Sequence, residues 1–251
     1  MNKQQLAAKI WESANKMRSK IEANEYKDYI LGFIFYKFLS ETEIARLRAE
    51  DWGAEDLKGL DENDAETVQY VRDLCGYFIS YNNLFSTWIA SQGDFTIADV
   101  RDALSAFERN IDPARKRVFV GIFDTLQTGL SKLGTDEKSR SKAVRDLIYL
   151  IKDIPMDSRQ DYDTLGFIYE YLISNFASNA GKKAGEFYTP SEVSQLMSEI
   201  VAWHLAGREE INIYDPTSGS GSLLIHIGQA VARRNGNPND IKYYAQELKE
   251  N

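Results

Sequence analysis

The sequence predicts a mostly α protein: an all-α domain over residues 1–155, followed over residues 156–251 by the opening βαβ unit of an α/β domain. Three observations carry this. Apolar residues recur at helical spacing through about the first 150 positions. The pattern breaks at Ile154-Pro155-Met156-Asp157, where proline removes a backbone donor. Between Ile211 and Glu247, a β-type run, a glycine turn, an apolar-periodic stretch and a second β-type run succeed one another.

Leu6, Ile10, Trp11, Ala14, Met17 and Ile21 keep the 3, 4 spacing of one helix face. Ile30, Phe33, Ile34, Phe38 and Leu39 form a second helix, apolar nearly all round and so expected at the centre of its bundle. Its aromatic run, Phe33, Phe35, Tyr36 and Phe38, reads as core. Ile97, Val100, Leu104 and Phe107 make a third helix. Phe119, Ile122, Phe123 and Leu126 make another, and Val144, Leu147, Ile148 and Ile151 one more. Polar linkers separate them, among them Asp61 to Asp64 and Gly134 to Ser139.

After the break, Leu165, Ile168, Tyr169, Leu172, Ile173 and Phe176 share a helix face. Ser178 to Gly185 is small, polar and glycine-bracketed, and reads as a mobile loop. A helix start follows: Thr189 can cap, Pro190 suits the first helical position, and Glu192 can close a capping box. Its apolar stripe runs Val193, Leu196, Met197, Ile200, Val201 and Leu205, until Gly207 ends it. Then come Ile211 to Tyr214, the turn Asp215-Pro216-Thr217-Ser218-Gly219-Ser220-Gly221, a helix from Ser222, and Ile241 to Gln246 closed by Glu247. Asn235 to Asn239 is the helix-to-strand turn, and a right-handed crossover makes the two strands parallel neighbours. Two parallel strands cannot bury both faces of a sheet. Residues beyond about 207 are therefore expected to be poorly ordered, or shielded by the helical domain or a neighbouring chain.

Composition removes several function classes. The longest apolar stretch, Tyr29 to Tyr36, is far too short to span a membrane. The first residues lead into an amphipathic pattern rather than a signal peptide's apolar block, which points to a cytoplasmic protein. One cysteine, Cys75, excludes an internal disulfide, and with only two histidines a zinc site is not expected. A net charge of −8 gives no global positive field for nucleic acid, so DNA contact would need a local patch or a partner. Arg115-Lys116-Arg117, Lys182-Lys183 and Arg233-Arg234 are the candidate phosphate contacts, with Lys182-Lys183 preferred for its loop position. His204 and His226 lie inside helical patterns and read as packing or solvated residues.

A strand, a glycine loop, a helix and a strand ending in a carboxylate are the parts of a nucleotide-type cofactor site. A phosphate-binding P-loop needs Gly-Lys-Ser/Thr, and here Gly221 is followed by Ser222-Leu223. A dinucleotide site wants a third glycine about three residues on, where this chain has Leu224. Asp215, directly before the loop, would repel a pyrophosphate but suits a ligand with an amine and a sulfonium. That ligand is S-adenosylmethionine. Glu247 can accept both ribose hydroxyls of such a nucleoside.

Asp215 to Leu224 resembles the Asp-Pro-x-x-Gly-Ser-Gly motif of amino-methylating DNA methyltransferases. Gly185-Glu186-Phe187-Tyr188-Thr189-Pro190 resembles the segment that precedes the sheet in that family and lies over the methionine part of the cofactor. With its helical first half, the chain is similar to the modification (M) subunit of type I restriction-modification systems, adenine-N6 DNA methyltransferases.

The resemblance implies a Rossmann-like methyltransferase domain that binds S-adenosylmethionine. Glu186, Phe187, Tyr188, Thr189, Pro190 and Ser191 would supply cofactor contacts, with Tyr188 and Thr189 against the methionine end. Thr217, Ser218 and Gly219 would line the loop under the cofactor, Asp215 would lie near the methionine amine, and Glu247 would hold the ribose. It also implies DNA, a specificity subunit, a second modification subunit and a restriction subunit as partners. The family's catalytic signature, Asn or Asp, then Pro-Pro, then Phe or Tyr, grips an extruded adenine. Of the five prolines here no two are adjacent. The chain is therefore expected to stop before the catalytic motif and to be inactive by itself. Two other readings stand beside this one: an assembly module that binds partner subunits and no cofactor, and a nicotinamide-dinucleotide-binding fragment.

Overall fold

A computed structural model describes residues 2–17, 26–156, 164–172, 189–219, 221–235 and 241–247. The helices are α1 Lys3–Met17, α2 Tyr26–Ala49, α3 Ala54–Lys58, α4 Ala65–Cys75, α5 Phe85–Ala90, α6 Ile97–Arg109, α7 Lys116–Phe119, α8 Asp124–Gly129, α9 Glu137–Ile151, α10 Thr164–Leu172, α11 Ser191–His204 and α12 Ser222–Asn235. The strands are β1 Ile211–Asp215, before α12, and β2 Ile241–Ala245, after it. The chain forms two compact units, residues 1–180 and 181–251.

In the first unit, α2 is the central helix, as its all-round apolarity requires. It touches α1, α4, α5, α8, α9 and α10, and buries Ile30, Phe33, Ile34, Tyr36 and Leu39. Gly32 lets α8 come close: a β-carbon there would stand 2.9 Å from Leu126 Cδ2 and 3.1 Å from its Cβ. The polar linkers turn out to carry helix starts. Asp64 accepts the N–H groups of Glu66 and Thr67 to cap α4. Thr96 with Asp99, and Asp136 with Ser139, close capping boxes on α6 and α9.

Two expectations are corrected. The single helix drawn through Phe119 to Leu126 is two, because Gly121, at φ 77°, turns the chain between α7 and α8. The apolar residues still point inward: the Phe119 ring lies 5.2 Å from Tyr77 and the Phe123 ring 5.2 Å from Phe107. Thr189 and Glu192 do not cap α11. The helix starts one residue later, at Ser191, with Pro190 as the capping residue and no side-chain cap; its carbonyl accepts from Val193 and Ser194 at 3.0 and 2.9 Å. The compact units divide at residue 180. Helix α10 accounts for this, since Ile168 and Leu172 are buried in the core that holds Leu6 and Ile10.

Polar side chains of the first unit secure its irregular connections. Along α2, Ser40 accepts the Phe85 N–H at 2.9 Å, Glu43 accepts the Ile79 N–H at 3.0 Å, and Lys37 donates to the Ile154 carbonyl at 2.7 Å. Lys37 also pairs with Glu41 one turn on. The Tyr77 hydroxyl donates back to the Leu39 carbonyl at 2.8 Å. Buried backbone groups outside helices need such partners, because an unmet one costs about 1–3 kcal/mol.

In the second unit β1 and β2 are parallel, in register from Ile211↔Ile241 to Asp215↔Ala245. Ile211, Ile213 and Ile241 pack with Leu224, Ile227, Ala230 and Val231 of α12 and with Ala202 of α11. Helices α11 and α12 are also joined by polar contacts: Ser194 Oγ lies 2.8 Å from His226 Nδ1, and Glu199 holds Arg233 and Arg234 at 2.7 and 2.9 Å. On the opposite face of the strand pair, Tyr214 and Tyr244 sit side by side and are exposed.

Candidate functional site

The site is built where β1 gives way to α12. Asp215, the last residue of β1, is buried, and its Oδ1 accepts the Thr217 N–H at 3.0 Å. This bond bends the chain out of the strand as an Asx-type turn. The Gly221 N–H donates to the Ser218 carbonyl at 2.7 Å, which closes the next turn. Gly219 and Gly221 take φ 54° and 76°, the left-handed region that glycine adopts without strain. Among the described residues, a β-carbon at either would meet nothing within 4 Å, so the backbone here faces open space. The Ile225 N–H donates to the Gly221 carbonyl and starts α12, whose first-turn amides lie next to the loop.

The end of β2 clasps this loop. The Gln246 N–H donates to the Asp215 carbonyl and the Gln246 carbonyl accepts the Ser218 N–H, both at 2.9 Å. Glu247 Oε2 accepts the Gly219 N–H at 2.8 Å. The Tyr214 hydroxyl donates to Gln246 Oε1 at 2.6 Å. Asp215, Thr217, Ser218, Gly219 and Glu247, named from sequence, are thus gathered at the carboxyl ends of two parallel strands, where open α/β sheets bind ligands.

A family model described as the HsdM N-terminal domain matches residues 6–151, and one described as N-6 DNA Methylase matches residues 160–251. The chain belongs to the M subunit family of type I restriction-modification systems. A solved type I methyltransferase subunit from Streptococcus thermophilus superposes with a TM-score of 0.75 at 31% identity, over 99% of this chain and 53% of that one. The MpnII methylase subunit of Mycoplasma pneumoniae is 30% identical over 96% of this chain and 46% of its own length. The MjaIX methylase subunit of Methanocaldococcus jannaschii is 24% identical over 95% and 42%. The chain therefore spans about half the length of the M subunits it matches.

The family models divide this M-subunit chain between residues 151 and 160, whereas its compact units divide at 180. Glu186, Phe187 and Tyr188 lie outside the described residues, as do Lys182-Lys183. Thr189 and Pro190 are exposed just before α11, and Ser191 opens that helix. Arg233 and Arg234 are paired with Glu199, whose carboxyl the two guanidinium groups hold below its ordinary range, so they are not open phosphate contacts. Arg115, Lys116 and Arg117 are exposed. Among the described residues no helix is long and apolar enough to cross a membrane. Two participants escaped sequence reasoning, Gln246 and Tyr214. The signal for Gln246 was its place between the last strand residue and the acid. Nothing in the sequence marked the Tyr214 hydroxyl.

Proposed function

We propose that this chain binds S-adenosylmethionine at the Asp215–Gly221 loop and that, within the full-length M subunit, it serves methylation of adenine N6 in DNA. The observation that carries the proposal is the contact of Gly219 with Glu247, 28 residues apart in sequence, at the end of the parallel pair. Open space over two left-handed glycines admits a ligand to the backbone, and a buried acid before the loop favours a cationic one. Asp215 would face the methionine amine, Thr217, Ser218 and Gly219 would lie under the nucleoside, and Glu247 would accept ribose hydroxyls. Glu186 to Ser191 would add the contacts at the methionine end. The bound cofactor supplies an electrophilic methyl group on sulfonium. Residues 1–251 contain no Asn-Pro-Pro-Phe/Tyr, so the group that grips adenine is not among them, and methyl transfer by these residues alone is not expected.

In this reading the acidic chain meets DNA through an assembled cytoplasmic complex with a specificity subunit, a second M subunit and a restriction subunit. Isothermal calorimetry tests the cofactor. S-adenosylmethionine is expected to bind and NAD not to, with Asp215→Ala and Glu247→Ala each weakening binding at least about tenfold, the scale of one charge-assisted hydrogen bond. A folded protein that gives no heat with S-adenosylmethionine refutes the proposal.

A second reading, an assembly module, is favoured by one observation. Val193, Leu196, Met197, Ile200 and Trp203 form an exposed apolar stripe along α11, and stripes of this kind mark contact surfaces. The readings are compatible, since the stripe and the glycine loop use different residues.

A further inference from the structure

The β1–β2 ladder ends at Asp215↔Ala245, but pairing between the two chain segments does not end there. Gln246 exchanges backbone bonds with Asp215 on one side and Ser218 on the other. One residue further on, the Glu247 side chain reaches across to the Gly219 N–H. Gly219 is a point where the loop needs holding. Its left-handed backbone has no side chain, and no atom of the described residues stands within 4 Å of the position a β-carbon would take. Glycine retains more conformational freedom than any other residue when nothing fixes it.

We infer that Glu247 is a positioning residue for the glycine loop as well as a ribose acceptor, and that Tyr214, through Gln246, steadies the segment that carries it. The inference rests on the cofactor reading above and deepens it. One carboxylate can serve both tasks, because it offers about four acceptor lone-pair sites. The charge strengthens the bond to the Gly219 N–H. The described part of the loop, Asp215 to Gly219, is thus already shaped in the free protein, and ordering it is not charged against cofactor affinity. The Tyr214 hydroxyl, donating to Gln246 Oε1 from the uncovered face of the strand pair, limits the swing of residues 246 and 247.

The double role separates from a ribose-only role by ligand choice. The probes are S-adenosylhomocysteine and its 2′,3′-dideoxy analogue, which lacks both hydroxyls. Glu247→Gln keeps an oxygen for the Gly219 N–H but loses the charge that grips the diol. It is expected to weaken S-adenosylhomocysteine about tenfold and to leave the dideoxy analogue within about twofold of the parent chain. Glu247→Ala loses both functions and is expected to weaken S-adenosylhomocysteine more than Glu247→Gln does, and to weaken the dideoxy analogue as well. Tyr214→Phe is expected to weaken both a few-fold with an unchanged melting temperature. Without any ligand, amide exchange at Gly219 should be slow in the parent chain and in Glu247→Gln, and at least about tenfold faster in Glu247→Ala. Unchanged dideoxy affinity in Glu247→Ala, or unchanged Gly219 exchange, overturns the inference while leaving the cofactor reading intact. Failure of the parent chain to bind S-adenosylhomocysteine, with Gly219 exchange still dependent on Glu247, strikes the cofactor reading and keeps the loop tie.

Discussion

The Glu43 carboxyl, fully buried in α2, accepts the backbone N–H of Ile79 at 3.0 Å, and its other oxygen has no hydrogen-bond partner among the described residues. Burial pushes the Glu43 carboxyl well above its ordinary 4.5, and the bond to Ile79 offsets only part of that shift. Below about pH 4.5 the carboxyl is protonated in folded and unfolded chains alike. Above it the unfolded chain ionises first, so stability falls as pH rises toward the folded value, by up to about 1.4 kcal/mol per unit. Urea titrations from pH 5 to pH 8 should show Glu43→Gln gaining stability relative to the parent chain as pH rises. A difference that is flat across this range contradicts the assignment. The neighbouring Cys75 thiol, pushed up to about 12 chiefly by burial, stays protonated throughout and does not disturb the test.

Gly32→Ala pits two effects against each other. Alanine is the better helix former by about 1 kcal/mol. Its methyl group, however, would press on Leu126 Cβ as well as Cδ2, and Cβ cannot rotate away. Overpacking of this kind costs about 1–3 kcal/mol. The expected result is net destabilisation seen in the urea midpoint, and a more stable variant would show that α8 yields easily.

Gly219→Ala should separate stability from ligand affinity. The added methyl meets no atom of the described residues, so the folding cost expected is that of the left-handed backbone, about 1–2 kcal/mol. The same methyl would occupy the open space proposed for the cofactor. Calorimetry is expected to show at least about a tenfold loss of S-adenosylmethionine affinity, more than the fold's own loss implies. Equal affinity would place the ligand elsewhere.

The α11 stripe offers a test of assembly. Leu196→Gln and Ile200→Gln alter exposed positions and should change stability by no more than about 0.5 kcal/mol. Co-purification with a specificity subunit and a second M subunit should fall sharply. Full retention of both partners would show that the stripe is not an assembly contact.

The sequence by itself determined the local architecture. Helix faces such as Leu6 with Ile10, and the strand–glycine–helix order at Asp215, depend on neighbours within a few positions, and spacing alone reveals them. It also identified the acid at 247 and the loop glycines. Tertiary structure alone decided which buried charges meet which backbone groups. Glu43 reaches Ile79 across 36 residues and Lys37 reaches Ile154 across 117, and no local pattern encodes either. It assigned α10 to the helical unit through the burial of Ile168 and Leu172. It also divided the helix expected at Phe119–Leu126, where a left-handed glycine outweighed the apolar period. At the site, the residue types were legible but the clasp was not, because the bond from Gly219 to Glu247 exists only once the crossover has set two strands in register.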